Sequence, residues 1–108
     1  MCSYKTLKNN QHGYVIQCNE CDQIQVAFST VILSLSTSEF YELIKTASEL
    51  HDHYQMHPCR DQKIIQLPTA TRSVTMVFNY DELKTLLHLM MEGRNKLQFR
   101  QLFVFNEN

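Results

Sequence analysis

A chain of 108 residues has room for one domain around one core. Ten basic against eleven acidic residues leave a net charge of -1, which argues against an electrostatic nucleic-acid binder, and a hydrophobic fraction of 44% excludes a disordered chain. No apolar run approaches membrane-spanning length, and "MCSYKTLKNN" lacks the apolar core of a signal peptide. The expected location is therefore the cytosol, where thiols stay reduced and four cysteines point to a metal or to free thiols.

"YKTLK" and "GYVIQ" flank the polar cluster "NNQH" and read as a hairpin with its turn near residues 9–12. "QIQVAF" and "VILSL" are rich in β-branched residues and read as two more strands. In "STSE", Ser36 is placed to cap a helix and Glu39 to complete a capping box. Phe40, Leu43, Ile44, Ala47 and Leu50 then fall on one helical face. That helix is expected to end within "HDHYQMHPC", ahead of Pro58.

The second half repeats this grammar. "KIIQL" and "SVTMVF" read as a hairpin, Asn79 and Glu82 as cap and partner, and Leu83, Leu86, Leu87, Met90 and Met91 as the apolar stripe. Gly93 is placed to stop this helix in a left-handed conformation. The tail "LQFRQLFVF" has a strand-like alternation, with a short helix as the competing reading. Ser36 with Asn79, Glu39 with Glu82, Phe40 with Leu83, Leu43 with Leu86 and Ile44 with Leu87 match at one constant offset, a strand–strand–helix unit used twice. The expected fold is one α+β domain over 1–108, a mostly antiparallel sheet of about six strands carrying two helices.

The informative motif is "CNEC", Cys18 and Cys21 between strands. A tight turn between two cysteines lets both thiolates face one ion, and zinc takes four such ligands in a tetrahedron. If residues 4–8 pair with 13–17, Cys2 falls opposite Asn19 and is the best-placed third ligand. The fourth comes from His51, His53, His57 or Cys59, of which Cys59 completes a four-thiolate site. The plainer alternative is that Cys18 points into the core as a small hydrophobe. A redox role is disfavoured, because the pair lies between strands rather than at a helix start, and Glu20 and Asp22 raise a thiol's pKa.

"MCSYK", "GYVIQCNECDQIQVAF" and "KIIQLPTATRSVTMVFNYDELKTLL", in that order around a capped helix, resemble a family of small bacterial proteins of unknown function. The resemblance covers most of the chain, implies no established activity, and marks Cys2, Cys18 and Cys21. No catalytic set stands out, and two glycines leave no glycine-rich phosphate cradle. The expected function is a non-enzymatic cytosolic domain, zinc-stabilised through the cysteine knuckle, that binds another macromolecule. The alternative is a thiol-dependent enzyme or redox sensor using Cys18 and Cys21. Edge strands and the Phe-rich tail also suit pairing between copies of the chain.

Overall fold

A computed structural model describes residues 3–106. Four strands, β1 (Tyr4–Asn10), β2 (Gly13–Cys18), β3 (Ile24–Phe28) and β4 (Val31–Leu35), form an antiparallel sheet in chain order. Helix α1 (Thr37–Tyr54) follows, then the hairpin β5 (Ile65–Pro68) and β6 (Thr75–Phe78), then helix α2 (Tyr80–Asn106). Among the described residues the fold is α+β with six antiparallel strands and two helices, but the strands divide into a sheet of four and a sheet of two.

Both helix starts form as their sequences require. Ser36 Oγ accepts the Glu39 N–H at 3.1 Å, and the Glu39 carboxylate accepts the Ser36 N–H at 2.8 Å. Asn79 Oδ1 accepts from Glu82 N at 2.8 Å, and Glu82 Oε1 accepts from Asn79 N at 2.9 Å. Each box satisfies two backbone donors that a helix start otherwise leaves unpaired.

The Asn79 N–H holds the Glu82 carboxyl below its ordinary pKa, assisted by Lys63 at 2.9 Å and opposed by partial burial. A carboxylate depressed in the folded state contributes stability above its unfolded pKa and loses it as pH falls through the folded value. Glu82 is largely solvated, so its charge is worth under ~1 kcal/mol at neutral pH. We expect Glu82→Gln to melt below wild type at pH 7, with the gap closing on acidification. A gap that widens toward acid pH would refute this origin.

The helices cover the sheets from one side. Helix α2 packs against β1, β2, β6 and α1, while α1 packs against β4, β5 and α2. The sheet contributes Val15, Ile24, Val26 and Leu35 to a contiguous core; Phe40, Leu43, Ile44 and Ala47 come from α1, and Leu83, Leu86, Leu87 and Met90 from α2. Leu50 and Met91 pack at its margin. Burying one such large apolar side chain is worth about 1.5–3 kcal/mol.

Two expectations for the second half give way. Gly93 does not stop α2, because no glycine takes a positive φ and the helix runs on to Asn106. A Cβ at Gly93 would lie 3.0 Å from Val15, so the glycine lets helix and sheet approach closely. The tail is helical rather than extended: Leu97 enters the core, and Phe99 and Leu102 lie exposed.

Candidate functional site

The cysteine loop is built by the β1–β2 hairpin and the step into β3. The hairpin turn is tighter than 9–12: Asn10 pairs with Gly13, and Asn10 Oδ1 accepts from His12 N at 2.8 Å. A register shift between Thr6 and Lys8 takes one residue back, so that Tyr4 meets Cys18. Asn19 consequently meets Ser3, not Cys2. Its N–H donates to the Ser3 carbonyl at 2.7 Å, and its side chain donates to Ser3 Oγ at 3.1 Å. Cys2 lies outside the described residues.

Cys18 is 3% exposed and counts among the buried hydrophobic side chains, though it lies outside the main contiguous cluster. The reason is strand alternation. Val15 and Gln17 pair with Val26 and Ile24, whose side chains face the core. Cys18 comes one residue later and takes the opposite face. Tyr4, across from it, donates its hydroxyl to Gln23 Oε1 at 2.9 Å. The Cys18 N–H in turn donates to the Gln23 carbonyl at 2.9 Å. Cys18 is thus a buried small side chain, as the plainer reading expects, but strand alternation sets it beside the main cluster and not within it.

The Glu20 N–H donates to Cys18 Sγ at 3.4 Å, inside the loop. Cys21, the other flank of the turn, is exposed. Asp22 follows, and its Oδ1 accepts from Thr37 N at 3.0 Å and from the Thr37 hydroxyl. The loop is thus tied to β1 on one side and to the first residue of α1 on the other. The role of Asp22 was not read from the sequence, where it appeared only as an acidic neighbour. An acidic residue that can reach a helix start is the available signal.

Cys59 is not brought to this loop. Asp22 touches the start of α1, whereas Cys59 follows its end, and 18 helical residues span about 27 Å. The histidines of the same segment hold other partners. His51 Nε2 lies 2.8 Å from the Tyr80 hydroxyl, with the Arg60 guanidinium 4.1 Å above the Tyr80 ring. His57 Nδ1 accepts from Cys59 N at 3.0 Å, and His53 packs edge-on against Tyr54. Among the described residues, no group of three or more His, Cys, Asp or Glu gathers where an ion could be held.

The order of these pieces along the chain is that of a recognised group: the model of DUF6686, a family of unknown function, matches residues 1–107. The chain belongs to this family. No curated protein matches it, and no solved structure does. Membership in DUF6686 carries no activity with it. No helix among the described residues is long and apolar enough to cross a membrane.

Proposed function

We propose that the chain is a non-enzymatic binding domain of a reducing compartment, whose N-terminal edge is organised by a zinc ion on Cys2, Cys18 and Cys21. The observation that carries this reading is the Glu20 N–H directed at Cys18 Sγ, a buried sulfur beside the main core cluster. That contact fixes the direction of the Cys18 side chain within the loop. Such outer hydrogen bonds also orient metal ligands. Ser3, bonded to Asn19, is covalently joined to Cys2, which makes Cys2 the third ligand of this proposal. Water or a partner's side chain takes the fourth position, since Cys59 is remote and His12 lies at the far end of β2, about 20 Å away.

Metal analysis of protein purified without chelator tests this. The expected result is about one zinc per chain, lost in Cys18→Ser and kept in Cys59→Ser. Cobalt substitution should show a thiolate charge-transfer band that Cys2→Ser weakens. Native protein that holds no zinc and takes up no cobalt would refute the metal. Rapid, pH-dependent alkylation of Cys21 in that protein would favour thiol chemistry instead.

A further inference from the structure

The two edges of the four-stranded sheet are built differently. On the outer side, β1 carries Lys5 and Lys8, ends in Asn9 and Asn10, and has an irregular register between Thr6 and Lys8. Charges and bulges of this kind blunt an edge against pairing with another chain. At the other edge, β4 reads VILSL, with no charge, proline or glycine, and its register with β3 is unbroken.

That register fixes which backbone groups of β4 are left over. Phe28 and Val31 close a two-residue turn, so they form a hydrogen-bonded pair, and bonded pairs then alternate along the ladder. Val31, Leu33 and Leu35 therefore bond to β3, while Ile32 and Ser34 turn their N–H and C=O groups outward. No hydrogen bond from another element reaches those groups among the described residues. The Thr69–Val74 segment of the β5–β6 hairpin stands across a groove of about 300 Å³ from β4 and makes no backbone hydrogen bond to it. Side chains repeat the message. Leu35 is buried, but Val31 and Leu33, on the same core-facing side, are only half-buried, and Ile32 is 57% exposed.

We propose that β4 pairs antiparallel with β4 of a second copy of this chain, about a two-fold axis through Leu33. The outward groups select this occupant because they are self-complementary. Ile32 and Ser34 are placed symmetrically about Leu33, so each meets the other residue of the partner subunit and exchanges both backbone bonds. Every outward N–H and C=O of those two residues finds a partner, and β4 brings no charge to repel its copy. The pairing joins two four-stranded sheets into one continuous sheet whose remaining edges are both the lysine-bearing β1. An isologous contact of this kind closes on itself and does not propagate. The inference does not depend on a metal at the cysteine loop.

Light scattering on the eluting native protein tests it. Wild type is expected at twice the chain mass of 12.8 kDa. Ser34→Pro removes an N–H that the fold does not use, at an edge position where proline is tolerated. Ile32→Lys plants a charge on the same edge. Both variants are expected to run at 12.8 kDa while keeping a cooperative melt, which separates lost pairing from lost folding. A wild-type monomer at all accessible concentrations would overturn the proposal, even if β4 then accepted an added peptide strand. So would a dimer that both variants leave intact, which would place the contact elsewhere, such as the exposed Phe99 and Leu102 of α2.

Discussion

Replacing Gly13 with alanine is expected to destabilise the fold by about 3 kcal/mol or more, at the upper end of overpacking costs. Gly13 pairs with Asn10 on one side and with Phe28 on the other, so it has a strand along each flank. A Cβ built there would lie 1.9 Å from the Ala27 carbonyl oxygen and 2.9 Å from its carbon. Both atoms belong to the backbone. No side chain can rotate away, so β3 must move or the ladder must open. The glycine is required for space and not for its dihedral freedom, because no glycine in the structure has a positive φ. For a domain of this size the loss corresponds to roughly 12 °C or more in Tm. Urea titration of Gly13→Ala against wild type checks it. A midpoint within error of wild type would show that the β2–β3 ladder is looser than described. Trimming a neighbouring side chain should not rescue the variant.

Gly93 offers the opposite case. Its missing Cβ would meet three Val15 side-chain atoms at 3.0, 3.0 and 3.1 Å, and Val15 is fully buried. Alanine gains about 1 kcal/mol of helix propensity over glycine, against an overpacking cost of about 1–3 kcal/mol. We expect Gly93→Ala to be destabilised by up to about 2 kcal/mol. Val15→Ala alone opens a cavity and costs about 2 kcal/mol from lost apolar burial and contacts. In the double variant the new methyl group fills the space that valine vacates. The combined loss should fall short of the sum of the single losses by about 1 kcal/mol or more. A double-mutant cycle in urea measures this coupling. Strict additivity would mean that α2 and β2 do not touch at this point.

These two glycines also show what the sequence could express. A glycine followed by polar residues in an apolar helical pattern has the signature of a terminator, and Gly93 carries that signature. The same letter serves a helix that must lie close to a sheet, and only the position of Val15 separates the two. The capping boxes at Ser36 and Asn79 were legible because donor and acceptor lie three residues apart in one segment. The hairpin partners were legible too, but the register was not. A two-residue turn at Gln11 and His12 moved the pairing one way and the irregularity near Leu7 moved it partly back. Neither feature leaves a mark in composition.

The cysteine loop divides in the same manner. That Cys18 and Cys21 flank a turn followed from four consecutive letters. That Cys18 is buried beside the main cluster and not within it followed from its position one residue after Gln17, which required the β2–β3 register. The remoteness of Cys59 followed from the span of α1. The separation of the strands into two sheets was hidden for a related reason, since local pattern gives strands and turns but not which edges meet.

Asp22 ties two parts of the molecule that lie far apart in the chain's logic. It sits one peptide bond from Cys21 and supplies an acceptor to Thr37, so one carboxylate serves as a hinge pin between the sulfur-bearing bend and the long rod of α1. A chemical event at the bend that displaced Asp22 would take the acceptor from the first N–H of that rod while leaving its Ser36 cap in place. Its opposite end carries His51 against Tyr80, where the second rod begins.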